Sequence, residues 1–253
     1  MKVLKFGGSS VANSENIKKV LAIVANASKE QKVAVVVSAF GKTTDNLLAA
    51  ANTALVDIAI AKNILETIKE LHYQVIDDLI SSQKKEVLEV VTSLLDRLCS
   101  IYEGIFLLQE LSDKTLAKVS SFGERLSSFI IANAANELFD AAHKESKALI
   151  STNKEYLNAQ VNFKITNQNI TSFFDNNKHQ VIVLGGFISS NLNGETTTLG
   201  RGGSDFSASI YAAALNAVEL QIWTDVPGMF TANPRVVKQA YPISEISYEE
   251  AME

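Results

Sequence analysis

The run Val33-Ala34-Val35-Val36-Val37 constrains the fold more than any other stretch of this 253-residue chain. Five consecutive apolar residues leave no polar face for water. Such a run reads as a strand covered on both sides, as strands of parallel sheets are. The preceding residues agree. Residues 2 to 7 read as an earlier strand, and Ile17, Val20, Leu21 and Val24 give residues 14 to 29 the apolar stripe of a helix. Strand, helix and strand in that order make a βαβ unit. The expectation is an α/β fold with a mostly parallel sheet and helices on its faces.

Further along, the stretch from Asp45 to Ile101 holds no glycine or proline. Leu65, Ile68, Leu71 and Val75 form one helical stripe. Val87, Val90, Val91, Leu94, Leu95 and Leu98 form another, with Ser81-Ser82-Gln83 as the turn between them. This predicts a helical insert over about 45–112, a subdomain or lid whose charged residues form a solvated face. Ser112 caps a following helix, and Leu126, Phe129, Ile130 and Ala134 mark the buried side of the helix that runs to Phe139. Residues 147 to 151 read as a short strand, and 160 to 165 alternate as a half-exposed β segment. Residues 167 to 176 read as a polar helix. Strands are expected at 180 to 184, 196 to 199 and 220 to 224, with an alanine-rich helix over 205 to 217.

The bulk numbers exclude several functions. A net charge of -5 gives no basic surface for nucleic acid. Cys99 stands alone, so an internal disulfide is ruled out, and its apolar helical neighbours mark it as a core residue. The histidines His72, His143 and His179 are far apart and read as surface residues rather than ligands. No apolar run reaches the ~20 residues that span a bilayer, and the N-terminus has no leader pattern. A cytoplasmic protein without membrane contacts is expected. A helix opens at Ser247-Tyr248-Glu249-Glu250 and stops at the last residue, which suggests a piece of a longer protein.

Three glycine loops read as following strands and preceding helices: Gly7-Gly8, Gly185-Gly186 and Gly202-Gly203. In open α/β sheets such loops gather at the carboxyl ends of the strands, where ligands bind. Bare N–H groups at a helix start bind phosphate, and Lys5 and Arg201 flank two of the loops. Several phosphates or carboxylates held together are implied. Neither the Walker pattern nor G-x-G-x-x-G occurs, so a P-loop protein and a dinucleotide oxidoreductase are disfavoured.

The stretch Lys5-Phe6-Gly7-Gly8-Ser9-Ser10 resembles the N-terminal signature of the aspartokinases. Gly200-Arg201-Gly202-Gly203-Ser204-Asp205 and Trp223-Thr224-Asp225-Val226-Pro227-Gly228 match two further signatures of that family, in its order and spacing. Phe122-Gly123-Glu124 and the pair Ser38 and Thr44 also fit, so the resemblance covers essentially the whole chain. It implies the amino-acid kinase fold, a three-layer α/β/α sandwich, over residues 1–253, with a nucleotide-binding half at about 180–253. It implies phosphorylation of the side-chain carboxylate of L-aspartate to 4-phospho-L-aspartate, with ATP and Mg²⁺. That reaction opens the biosynthesis of lysine, threonine and methionine.

Carried over from the family, Thr44, Glu124 and Arg201 hold aspartate, while Ser38 and Ser204 add neutral hydrogen bonds. Lys5, Gly7, Gly8 and Ser9 meet the transferred phosphate. Asp205 orients Lys5 or the metal, or else caps a helix, and no residue is assigned as a metal ligand. Thr224 and Asp225 contact the nucleotide, Arg235 lies near its phosphates, and Phe230 replaces a tyrosine. The family continues with a lysine-containing stretch and then ACT domains or a homoserine dehydrogenase. Feedback inhibition is therefore not expected of these residues alone, and a homo-oligomer is expected of the full-length protein. Two alternatives remain open. One is another kinase of this fold, acting on N-acetylglutamate, carbamate or uridylate. The other is a non-catalytic nucleotide-binding fragment.

Overall fold

A computed structural model describes residues 1–253 apart from Pro227, Arg235, Glu253 and the side chain of Met252. The described residues fall into two compact units, Met1–Trp223 and Thr224–Glu253.

The first unit opens with β1 (Lys2–Phe6), a 3-10 turn at Ser9–Val11, α1 (Ser14–Ser28) and β2 (Val33–Val37). Every residue of β2 is buried, as its continuous apolar run requires. Asn13 starts α1 by accepting the Asn16 N–H on its side chain at 2.9 Å. Next come α2 (Thr43–Ala54), α3 (Ile58–Leu79), α4 (Lys84–Leu108), α5 (Asp113–Ser120) and α6 (Phe122–Asn136). Asp57 caps α3 and Ser112 caps α5. The remainder is β3 (Ala141–Lys144), β4 (Ser151–Thr152), α7 (Phe163–Asn176), β5 (Val181–Gly185), β6 (Ile188–Asn191), β7 (Thr196–Thr198), α8 (Gly203–Ala214) and β8 (Glu219–Trp223).

The main sheet has the order β3-β5-β2-β1-β8, and all its pairs are parallel. Phe6 pairs with both Val37 and Trp223, and Val37 pairs with Gly185. The carboxyl ends of four strands therefore lie level, and the loops that follow them start from one line. A smaller sheet, β4-β6-β7, holds the antiparallel β6–β7 hairpin.

Strand parity divides the core in two. Leu4, Phe6, Val35 and Val37 pack against α1 to α4 and α6, while Val3, Ala34, Val36 and Leu184 pack against α7 and α8. Successive side chains of a strand alternate between faces, so Lys5 belongs with Val3 on the α8 side. The helices of the 45–112 stretch share the first of these cores through Leu47, Leu65, Ile68, Val91 and Leu98. The buried Tyr102 hydroxyl donates to the Leu47 carbonyl at 3.0 Å and ties α4 to α2. This stretch is part of the body of the first unit instead of standing off as a lid.

Several local readings are corrected. Residues 160 to 165 are not a β segment. The Asn162 side chain accepts the Ile165 N–H at 3.2 Å and starts α7 at Phe163, and only Val161 bridges to Thr152. Thr166, Ile170 and Phe174, four apart, are the buried face. Residues 147 to 151 hold a 3-10 turn, Ser146–Ala148, before the two-residue β4. The short polar edge strand β3 and the strand β6 carry no strong apolar pattern and were not anticipated. Two of the three histidines are not surface residues. His72 continues the Leu65–Ile68 stripe of α3, is fully buried, hydrogen-bonds the Ile68 carbonyl through Nδ1 at 2.6 Å and stacks on Phe40. His143 hydrogen-bonds Ser128 through Nε2.

In the second unit, Phe230 bridges to Pro242 in antiparallel fashion. Ser247 and Glu250 form a reciprocal cap that starts α9 (Tyr248–Met252). No helix among the described residues is long and apolar enough to cross a membrane.

Candidate active site

The level strand ends of the first unit surround a cavity of about 300 Å³. Lys5, Ser38, Thr44, Glu124, Ser204 and Asp205 all line it. Six side chains named from the sequence thus meet in one hollow, although up to 200 residues separate them.

Each arrives by a local cause. Lys5 comes up from β1 on the α8 side, and its Nζ stands 2.6 Å from Asp205 Oδ1. The Lys5 side chain is 10% exposed and that of Asp205 50%. Oδ1 itself is shielded and accepts no aligned hydrogen bond, so the contact is an ion pair. Asp205 is not the helix cap: Gly202, with φ +73°, holds that position. Ser38 extends the ladder beyond β2 by donating its N–H to the Phe6 carbonyl at 3.1 Å. The Ser127 hydroxyl donates to the Ser38 carbonyl at 2.9 Å and ties α6 to that loop.

Two glycines permit the close approaches. A Cβ on Gly123 would lie 2.7 Å from Ala39 Cβ and 3.1 Å from Thr44 Oγ1, so only glycine lets α6 begin against that loop. A Cβ on Gly186 would lie 2.7 Å from Ser204 Cβ, so glycine there lets the start of α8 seat beside β5.

Glu124 has the most perturbed chemistry in the site. It is 4% exposed, and its Oε2 has no hydrogen-bond partner. Burial pushes its carboxyl up to about 8, and backbone groups of Ala39 and Glu124 itself pull back only in part. A buried carboxylate is stable only when paired, so this wall of the cavity is built to receive a cation.

Other expected residues lie outside the hollow. Arg201 is exposed on the loop before α8, does not line the cavity, and has no ion-pair partner among the described residues. Gly7, Gly8 and Ser9 follow β1. The Gly7 N–H was expected to be open for phosphate, but it donates to the Trp223 carbonyl at 3.3 Å, because the β1–β8 ladder runs one residue past Phe6. The N–H groups of Gly8 and Ser9 have no acceptor among the described residues. In the second unit, the Thr224 hydroxyl donates to Asp225 at 3.1 Å. Thr224, Asp225 and Phe230 belong to that unit, and Arg235 lies outside the described residues. Sequence reasoning missed Phe187, which lines the cavity with a left-handed φ of 65°. Its N–H donates to Ser207 Oγ. The signal was its place directly after Gly185-Gly186 at a strand end. No cluster of three metal-ligating side chains occurs among the described residues.

The model of the amino acid kinase family matches residues 1–253. The chain belongs to this family. Among relatives of this amino acid kinase family member, a bifunctional aspartokinase/homoserine dehydrogenase of Buchnera aphidicola is 35% identical over 100% of the chain and 32% of its own length. Aspartokinase 1 of Arabidopsis thaliana, a chloroplastic protein, is 34% identical over 99% of the chain and 44% of its own length. The solved structure of E. coli aspartokinase III in complex with aspartate and ADP superposes with a TM-score of 0.91 at 30% identity. That match covers 99% of this chain and 55% of the other. The chain thus spans about a third to a half of the length of these relatives.

Proposed function

We propose that the chain transfers the terminal phosphoryl group of ATP to the side-chain carboxylate of L-aspartate, giving 4-phospho-L-aspartate and ADP. The observation that carries this reading is the buried Glu124 carboxyl, whose Oε2 has no hydrogen-bond partner among the described residues, on the wall of a hollow that also holds Lys5. The α-ammonium of an amino acid supplies the cation that Glu124 lacks. An N-acylated amino acid or a nucleoside monophosphate offers none. The similar E. coli enzyme was solved with aspartate and ADP.

The nucleophile needs no base, since a free aspartate side chain has a reference pKa of about 3.9 and is ionised at neutral pH. One of its oxygens bonds to the γ-phosphorus as the bond from that phosphorus to the ADP oxygen breaks. The barrier is the approach of two anions, so positioning and charge neutralisation carry the catalysis. Lys5 supplies the charge at the transferred group, and the open N–H groups of Gly8 and Ser9 supply backbone donors. Asp205 holds the Lys5 ammonium in place. Arg201, without an ion-pair partner among the described residues, clamps a substrate carboxylate as a planar fork, and Ser38, Thr44 and Ser204 complete the polar wall. Thr224, Asp225, Phe230 and Arg235 serve the nucleotide.

A Mg²⁺ ion is held in such sites by phosphates, water and one or two carboxylates. The half-exposed Asp205 carboxylate fits that donor set, and the ion would neutralise phosphate charge there. The acyl phosphate product suits a first step in amino-acid biosynthesis. A coupled ADP-release assay on the full-length protein tests the reading. Turnover is expected with L-aspartate and MgATP. Turnover with N-acetylglutamate and none with aspartate would overturn it.

A further inference from the structure

Beyond Glu124 on α6, the next residue, Arg125, faces a second cavity of about 220 Å³. Its walls come from α4, α5, α6, the 3-10 turn at Ser146–Ala148 and the β6–β7 hairpin. Five cations line it: Arg97, Lys114, Lys118, Arg125 and Lys147. Two carboxylates answer them. Glu195 pairs with Lys114, while Glu145 pairs with Arg125 Nε at 3.0 Å and with Lys147 at 3.4 Å. Five positive charges against two leave a surplus of three.

The surplus is concentrated on groups with open hydrogen-bonding capacity. Arg97 and Lys118 have no ion-pair or hydrogen-bond partner for their side chains among the described residues, and the two terminal nitrogens of Arg125, whose guanidinium lies 5.0 Å over the Phe122 ring, donate no hydrogen bond among them. General basicity does not explain this, because the whole chain carries a net charge of -5. Nor is the cluster at rest. Burial presses the Lys118 ammonium pKa down, and Arg97, Lys114, Arg125 and Lys147 press it the same way. Glu195 cannot swing across to relieve it, since Lys114, Asn191 and Tyr156 all hold that carboxylate. Cations that repel one another around a hollow are stabilised by an anion that fills it.

We propose that this cavity is a binding site for a small anion carrying two or more negative charges, a phosphate ester or a polycarboxylate. A hollow of about 220 Å³ suits a molecule of that size and is too small for a nucleic-acid strand. The guanidinium of Arg125 offers a fork for phosphate or carboxylate oxygens, and Lys118 and Arg97 add charge. The assignment does not depend on the phosphoryl transfer proposed above.

Isothermal titration of the full-length protein with pyrophosphate and, separately, with citrate tests it, without metal and at fixed ionic strength. The Lys5→Ala background removes the cation of the first cavity, and one saturable binding event is expected to persist there. Pyrophosphate alone would assign a phosphoryl ligand, and binding of citrate a polycarboxylate. In that background, Lys118→Gln and Arg97→Gln each weaken binding, and together weaken it by ~10-fold or more, as expected for two lost charge-assisted contacts. Both residues face other cations, so their removal leaves the melting temperature unchanged or raised. The proposal is overturned if neither anion saturates the Lys5→Ala protein, or if the folded double variant binds as tightly as its parent.

Discussion

Replacing Glu124 by glutamine should stabilise the unliganded protein, increasingly so as the pH rises. In the unfolded chain the carboxyl ionises at its ordinary value of 4.5, whereas in the fold it holds its proton up to about 8. Between those values the folded state carries one proton more than the unfolded state. Stability is therefore full below 4.5 and falls as pH rises, by about 1.4 kcal/mol per pH unit. At neutral pH the loss has reached roughly 3 kcal/mol, and it levels off above about 8. Glutamine has no proton to lose, so the Glu124→Gln variant escapes this slope. Any fixed penalty for its new amide shifts the whole curve without tilting it.

Urea unfolding of both proteins at four pH values from about 5 to 8 measures the difference directly. A difference that stays flat with pH would refute the argument that Glu124 is desolvated. The same reasoning reaches the substrate. If the ammonium of aspartate pairs with Glu124 as a carboxylate, binding at neutral pH must release about one proton. Titrations in buffers of different ionisation enthalpy would show it, and Glu124→Ala would mainly raise the KM for aspartate.

Lys5→Ala should lower kcat by roughly 100-fold or more, in the range of other lost electrostatic stabilisers, with little change in the KM for aspartate; normal turnover would remove Lys5 from the phosphate. His72 is held neutral, with burial pushing its pKa from 6.5 down to about 4, so stability is full above 6.5 and drains as pH falls towards 4, by about 3 kcal/mol in all. His72→Leu should remove one proton's worth of that acid slope by chemical denaturation, leaving the share of His143, which is also held near 4. Gly186→Ala should destabilise by ~1–3 kcal/mol through overpacking against Ser204. Gly104→Ala, in α4 with nothing within 4 Å of the new methyl, should stabilise by ~0.5–1 kcal/mol; a melting-temperature comparison of the pair checks both signs.

What the chain disclosed before its structure follows the range of the forces involved. β1, β2 and α1 were legible because burial on two faces or one stripe leaves a periodic mark. The start of α7 was not, because the side-chain cap of Asn162 outweighed an alternating pattern whose Phe163 proves 53% exposed. His72 looked polar in a list of residues and is core in the stripe of α3. Gly7 looked like a free phosphate donor, and only the register of β1 on β8 shows that its N–H is spent. Arg201 sits on the expected loop, but nothing in the sequence says whether an unpaired cation points inward before a ligand arrives.

The Lys5–Asp205 pair shows how the site is assembled. Parity sends Lys5 to the α8 face, while Glu124 rides on α6, which packs on the opposite face with Leu4 and Phe6. Neither residue could meet the other through the sheet. They line one cavity because four parallel strands end level and Gly185, the last residue of β5, lets the Glu124 backbone come within 3.1 Å of where a side chain would start. The hollow therefore straddles the end of the sheet, with a cation supplied from one layer and a carboxyl awaiting a cation in the other. On the proposed reading, the substrate ammonium turns to Glu124 in one layer while Lys5 in the other faces the transferred phosphate, so the two sides of the hollow sort the opposite charges. The buried His72 and the half-buried His143 are spent on packing and hydrogen bonds elsewhere in the fold.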